Sequence, residues 1–383
     1  MFISFFNTIT VSGAILRKGR IPAMLLSLLL LFNTVNSQIL KDSLTLNLIR
    51  KDVNNIYNSS FDSTTAYHEQ IEEQYPNHPI AHILKGITIY WENYPLVPSS
   101  KIHESFVEEM QKAIELSESA NDPSLEAEYL LANLCARGML LMFYSDNDMT
   151  SEIIPLAIGT YSQVRKSFDF TNECVDLHYF TGLYNYYREV YPDIYPVYKS
   201  LAMLFPKGSR VKGLEDLRIC AKYSFILSPE ASYLLSWIYL NFENDYETAL
   251  KLNKKLVSDY PQNYMYRAFL IKNLLLLKRY DEAENIIQES TDDNINQFFN
   301  GQLCVFKGLI EEKHYNKPDE AFKNYSKGVA DISLSGDYGN EYLSYAYAGM
   351  SRISEKKGEK HSARIYHEKA KKLAEFKKVN FDK

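Results

Sequence analysis

The chain has 383 residues, a formal net charge of −6 and 46% hydrophobic residues, so it can bury a large core. Its 15 glycines and 13 prolines are few, which disfavours a turn-rich β protein and favours long helices. The acidic balance disfavours nucleic acid as a partner. The chain also has 30 tyrosines, whose rings carry a polar tip and suit both packing and recognition surfaces.

The first 37 residues have the pattern of a secretory signal peptide. Arg17, Lys18 and Arg20 precede an apolar run from Ala23 to Phe32, and a cleavage position follows Ser37. The run is too short to span a bilayer. We therefore predict residues 1–37 to be a leader and the mature protein to be exported, periplasmic or secreted. An uncleaved N-terminal membrane anchor is the alternative.

Residues 38–123 predict an N-terminal group of paired helices. Phe61, Thr64 and Ile71 lead to Tyr75-Pro76-Asn77, and a proline ends the helix because it cannot continue the hydrogen-bond ladder. Gly86 is the small residue expected on the following helix, and Met110 and Ala113 fall on the helix after it. His78 and His82 are four residues apart and could share a metal ion, or could be ordinary surface or capping histidines.

Residues 124–228 predict a central, aromatic-rich helical segment in which the repeat spacing is lost. The run from Leu130 to Phe143 is apolar on nearly all sides, which predicts a central helix. Asp146-Asn147-Asp148 begins like a calcium loop but lacks the glycine and glutamate of an EF-hand, so a polar inter-helix loop is the better interpretation.

A tyrosine stripe follows in this central segment, and we expect Pro192 and Pro196 to interrupt its helix. Two interpretations are open: helix packing, or a recognition surface for a peptide or a sugar. Arg188 could anchor a carboxylate on such a surface, or simply pair with Glu189 or Asp193. The candidate partner-binding residues are Tyr184, Tyr187, Arg188, Tyr191 and Tyr195, and Tyr198 continues the stripe.

Basic residues between the stripe and the next helix form a second candidate site. Lys207, Arg210 and Lys212 surround Gly208 and Gly213 in a loop that could bind an anion at a helix N-terminus. The spacing differs from that of a P-loop. A helix–helix turn with exposed basic side chains is the alternative.

Residues 229–372 contain the clearest repeat. Tyr246 and Tyr280 are 34 residues apart, as are Ala249 and Ala283, and Pro261 follows the first unit. The units around Gly308, Ala321, Tyr325 and Gly328, and around Gly349, Ala363, His367 and Ala370, repeat the same small-residue spacing. Residues 373–383 form a basic tail.

These repeats resemble the tetratricopeptide repeat (TPR) superfamily. The resemblance implies an all-α fold, a solenoid of helical hairpins wound as a right-handed superhelix, here with an irregular central segment. The order of motifs from Leu177 to Leu217 also resembles the inclusion-clearance, outer-membrane-associated TPR family of eukaryotes, a match that implies no known chemistry.

Catalytic and metal-binding motifs are missing from the sequence, which contains no HExxH, GxSxG, GxGxxG or paired CxxC. We expect no enzyme activity, no cofactor and no metal. The four widely spaced cysteines predict either buried small residues or one disulfide pair. The sequence favours a scaffold in the bacterial cell envelope that holds a protein or peptide in a groove, with envelope membrane proteins among its possible associates. A glycan- or small-ligand-binding module is the alternative.

Overall fold

The computed structural model describes residues 39–119, 122–194, 199, 203, 205–290, 296–374 and 380–381. The predicted leader and most of the predicted basic tail lie outside the described residues. Residues Gln38–Lys383 form one compact unit. Within its described residues the protein is all-helical, with sixteen α-helices and no strand, which confirms the predicted all-α class.

The sixteen helices follow one another with short connections. In chain order they are α1 (Ser43–Tyr57), α2 (Thr64–Gln74), α3 (Ile80–Glu92), α4 (Ile102–Ser119), α5 (Glu126–Asp146), α6 (Thr150–Ser167), α7 (His178–Ile194), α8 (Arg210–Tyr223), α9 (Ser228–Ile238), α10 (Tyr246–Asp259), α11 (Tyr264–Leu276), α12 (Tyr280–Glu289), α13 (Gln297–Lys313), α14 (Pro318–Ile332), α15 (Asn340–Lys356) and α16 (Lys360–Leu373). Each odd-numbered helix packs against the even-numbered helix that follows it, so the described residues form eight helical hairpins.

A left-handed residue recurs at the turn of six of these hairpins. Its φ lies between 53° and 80°, a region that residues with a Cβ seldom adopt. In four of the turns the residue after the left-handed one donates its backbone amide to the carbonyl of the residue five positions before the donor, at 2.8–2.9 Å. This bond ends the first helix and reverses the chain. The recurring residues are Ser59, Asp148, Asn244, Lys278, Asn316 and Gly358.

Five of these left-handed residues lie five positions before the small residue that the repeat pattern places on the second helix. Those small residues are Thr64, Ala249, Ala283, Ala321 and Ala363, and all are buried. The sixth, Asp148, lies in the predicted Asp146-Asn147-Asp148 loop, between α5 and α6. The hairpin geometry therefore continues through the central segment. The sequence spacing is lost there because α5, with 21 residues, is longer than the other helices.

Small residues allow the close helix contacts that the pattern predicts. A Cβ on Gly86 would lie 2.1 Å from the Met110 side chain. The fully buried ring of Tyr325 lies between two glycines, with a Cβ on Gly308 at 2.6 Å and a Cβ on Gly349 at 2.2 Å from ring carbons. A larger residue at Gly86 would displace the flexible end of Met110, whereas one at Gly308 or Gly349 would overlap the fixed, buried ring of Tyr325.

The first hairpins also contact helices far along the chain. The side-chain amide of Asn263 donates to the carbonyl of Tyr57 at 2.8 Å, and the Tyr338 hydroxyl donates to the carbonyl of Leu96 at 3.1 Å. The rings of Tyr94 and Phe298 pack edge to face at 6.0 Å. In a simple solenoid each repeat contacts only its neighbours, so these contacts are additional to that scheme.

Candidate functional site

Two adjoining cavities lie among helices α5, α6 and α7. The outer cavity has a volume of about 1190 Å³ and the inner one about 710 Å³. Both are lined mainly by apolar and aromatic side chains, as ligand pockets usually are. We call the two cavities together the chamber. The residues that line both cavities are Leu141, Met142, Ala157, Tyr161, Tyr184 and Tyr187.

Helix α6 supplies an apolar edge to the outer cavity. Ile154 and Ile158 line it, yet their side chains are 57% and 71% exposed. Their neighbour Ala157 is also exposed. Adjacent apolar side chains on an open helix face often mark a binding surface. The outer cavity is therefore an apolar groove that opens to solvent beside α6.

Close packing of α7 on α8 directs the tyrosine face of α7 toward the chamber. A Cβ on Gly213 would lie 2.6 Å from the Tyr186 backbone nitrogen, and a Cβ on Gly208 would lie 2.4 Å from the Asn185 carbonyl oxygen. Because this side of α7 is fixed against α8, the residues on its other side face the outer cavity. Gly208, in the loop before α8, and Gly213, in the first turn of α8, thus serve helix packing.

Four predicted partner-binding residues come together on the outer cavity. Tyr184, Tyr187, Arg188 and Tyr191 all line it, and each is partly buried. The fifth, Tyr195, lies outside the described residues, as does Tyr198. The prediction that Pro192 interrupts the helix was wrong, because α7 continues to Ile194. Pro192 lies in the last turn of α7.

Hydrogen bonds and ring contacts hold this aromatic wall in place. The Tyr184 hydroxyl donates to the Pro206 carbonyl at 2.7 Å, and the Arg188 guanidinium donates to the Phe205 carbonyl at 3.0 Å. The rings of Tyr161 and Phe205 meet edge to face at 4.7 Å. Arg188 thus bonds to a backbone carbonyl, and its predicted role of anchoring an external carboxylate or pairing with Glu189 or Asp193 stays a prediction.

The inner cavity contains one carboxyl group, that of Glu230 in the first turn of α9. Tyr57 donates its hydroxyl hydrogen to Oε2 of Glu230 at 3.2 Å. Burial raises the pKa of Glu230 to about 7, and the Tyr57 hydrogen bond offsets only part of this effect. No basic side chain among the described residues forms an ion pair with Glu230. The inner end of the chamber therefore combines an apolar wall with a carboxyl that can be protonated near neutral pH.

Three further groups surround Glu230 from the neighbouring helices. Tyr179 of α7 and Cys135 of α5 line the same cavity. Tyr266 of α11 is buried, and the negative charge of Glu230 helps burial to raise the pKa of its hydroxyl. All three are uncharged at neutral pH, so none compensates an ionised Glu230.

The predicted anion-binding loop already faces a carboxylate of the chain itself. The backbone amide of Arg210, at the start of α8, donates to Oε2 of Glu189 at 2.7 Å. The Arg210 guanidinium forms an ion pair with Glu243, and the Lys212 amide donates to the Ser209 side chain at 3.3 Å. The side chain of Lys207 is exposed. Binding of an external anion by Lys207, Arg210 and Lys212 stays a prediction.

The two histidines considered as metal ligands lie apart from the chamber, each beside one glutamate. His78 lies 2.9 Å from Glu128 and accepts a hydrogen bond from the Ile80 amide at the start of α3. His82 contacts Glu109 at 2.7 Å. Across the part of the chain that the structure describes, no three His, Cys, Asp or Glu side chains are grouped to hold a metal ion.

Comparison with known proteins adds no family assignment, since no family model and no curated protein matches the chain.

All four cysteines are buried and free. Among the helices of the described residues, none combines the length and the apolar character that crossing a membrane requires.

Proposed function

We propose that this protein is an exported, non-catalytic binding protein that holds an apolar ligand in the chamber. We further propose that its hairpins belong to the TPR superfamily and form a superhelical scaffold for this site. The chamber carries the proposal, because two adjoining apolar cavities share six lining residues and one of them opens to solvent.

The repeat geometry supports the TPR part of the proposal. Left-handed turn residues recur five positions before the small residue on the second helix of five hairpins. Asn244 and Lys278 are 34 residues apart, like the tyrosines that follow them. The apolar run from Ala23 to Phe32, preceded by basic residues, supports export.

A fluorescent apolar probe tests the binding function. N-phenyl-1-naphthylamine should bind the purified chain from Gln38 onward and gain fluorescence as it leaves water. Ala157→Trp should weaken this binding by about tenfold or more, because Ala157 lines both cavities and an indole would occupy the space between them.

Ser162→Trp is the matched control, since Ser162 is exposed on the same helix and lines neither cavity. Far-ultraviolet circular dichroism should show equal helicity in both variants. Equal probe binding by Ala157→Trp and the unchanged protein would contradict the chamber as the binding site.

The second candidate function is the protein scaffold suggested by the repeats. The exposed Ile154 and Ile158 favour it, since they extend the outer cavity onto the surface of α6, where an apolar helix of a partner could pack. Crosslinking in envelope fractions distinguishes the two functions. A protein captured by the unchanged chain and lost with Tyr187→Ala/Arg188→Ala, together with no probe binding, would favour the scaffold.

A further inference from the structure

The inner end of the chamber has the chemistry of a head-group site. Glu230 accepts one hydrogen bond there, from Tyr57 to Oε2, and Oε1 has no hydrogen-bond partner among the described residues. Glu230 also retains accessible surface although it lies in the interior, because it lines the inner cavity. Oε1 is thus open to the cavity and free to accept a hydrogen bond, which is stronger when the donor is a charged group of a ligand.

The surroundings of Glu230 favour a cation over a neutral donor. Tyr57 and Tyr179 line the inner cavity beside it, and aromatic rings attract cations through their negative faces. The titratable groups that face it are Tyr57, Cys135, Tyr179 and Tyr266 from the packed helices and Tyr233 from α9 itself, and all are neutral at pH 7. Because no basic side chain among the described residues pairs with this carboxylate, a ligand ammonium group would supply the positive charge that it lacks.

The rest of the chamber fits an apolar chain attached to such a head group. From the inner cavity the wall continues through Met139, Met142 and Leu141 to Ile154 and Ile158 at the opening. Unbranched methionines adapt to ligands of different shape. An alkyl chain lying along this wall would leave water, so each buried methylene should tighten its binding by about fourfold.

We propose that the chamber selects an amphiphile with a protonated amine, whose ammonium group binds Glu230 at the inner end while its apolar chain lies against α5, α6 and α7. This inference rests on the proposed function and names the ligand class of the same site. Since the ammonium binds the ionised carboxylate, affinity should fall as Glu230 becomes protonated. Because burial raises the pKa of Glu230 to about 7, affinity should fall about tenfold between pH 8 and pH 6.

Displacement of N-phenyl-1-naphthylamine by dodecylamine, dodecanol and dodecanoate, each below its micelle-forming concentration, tests the inference. Dodecylamine should bind about tenfold more tightly than dodecanol at pH 8, as expected when a hydrogen bond to a charged group replaces a neutral one. Glu230→Gln should remove that advantage and change dodecanol binding little. Glu247→Gln, at an exposed position of α10, is the matched control and should behave like the unchanged protein.

The outcomes separate this inference from the function on which it rests. Dodecanol binding as tightly as dodecylamine, or an amine preference that survives Glu230→Gln, would overturn the amine assignment and leave the apolar chamber in place. Tighter binding of dodecanoate would reverse the head-group class. If the probe and all three amphiphiles fail to bind the folded protein, the proposed function itself is wrong.

Discussion

Replacing Glu230 with glutamine should stabilise the protein at neutral and alkaline pH and change it little in acid. Burial raises the pKa of this carboxyl from 4.5 to about 7. Below pH 4.5 the carboxyl is protonated in both the folded and the unfolded chain. As pH rises toward 7 the unfolded chain ionises first, so the free energy of unfolding falls, and the full loss is present above the folded pKa.

The magnitude follows from the difference between the two pKa values. It corresponds to about 2 to 3 kcal/mol, with the lower figure allowing for the surface that Glu230 retains in the chamber. Glutamine cannot ionise, and its carbonyl oxygen can still accept the hydrogen bond from Tyr57. The variant should therefore gain about this much stability over the unchanged protein at pH 8.

Urea unfolding followed by circular dichroism at pH 5, 6, 7 and 8 measures this difference. Burial also raises the pKa of Asp146 to about 7, which gives the unchanged protein and the variant the same additional pH dependence. The difference between the two proteins therefore reports Glu230 alone. Glu247→Gln should show no such gain. A stability difference that is the same at pH 5 and pH 8, or a variant that is less stable at pH 8, would refute the reasoning.

Two further predictions concern helix packing. The ammonium of Lys272 is fully buried and paired with Glu341, so Glu341→Gln should lower the free energy of unfolding by about 3 kcal/mol in urea titrations. The double variant Lys272→Met/Glu341→Gln should lose less stability, because it leaves no unpaired buried charge. An equal loss in both variants would show that the ion pair is not responsible. Gly349→Ala should cost about 1 to 3 kcal/mol, because its Cβ would lie 2.2 Å from the Tyr325 ring. Gly358→Ala is the comparison variant, because its Cβ would meet open space while its φ of 80° would strain the backbone. Thermal unfolding of the two variants compares the cost of atomic overlap with that of backbone strain.

The helices and the turns between them could be predicted from local sequence patterns. The motifs Tyr75-Pro76 and Tyr260-Pro261 both end a helix, and the two tyrosines adopt nearly the same backbone angles, with φ of −134° and −131°. Such local patterns depend on helix propensity, proline and the size of one packed residue, all of which are visible within a single unit. The helical class could therefore be predicted without the structure.

Part of the candidate site could be predicted for the same reason. The spacing of Tyr184, Tyr187 and Tyr191 places them along one side of α7, where the structure brings them onto the outer cavity. The opposing wall could not be predicted, since Ile154 and Ile158 look like the buried face of a helix until the structure shows them exposed. Exposure depends on which helix lies opposite, and sequence spacing does not specify that.

Glu230 was missed because its sequence context has an ordinary explanation. It follows Ser228-Pro229 at the start of α9, and acidic residues are common in the first turn of a helix, where they interact favourably with the helix dipole. What distinguishes it is the contact with Tyr57, 173 positions earlier in the chain. No local pattern reports a pairing at that separation.

That long-range contact links the architecture to the chemistry of the chamber. Tyr57 is the last residue of α1, and its carbonyl accepts from Asn263 while its hydroxyl donates to Glu230. The return of the first hairpin onto later helices thus supplies the inner end of the chamber with its only hydrogen-bond donor to the carboxyl among the described residues. In an open array of repeats, Tyr57 and Glu230 would lie far apart and the carboxyl would lose this hydrogen bond. The same contacts that depart from a simple solenoid therefore help to hold the carboxyl to which we assign the ligand head group.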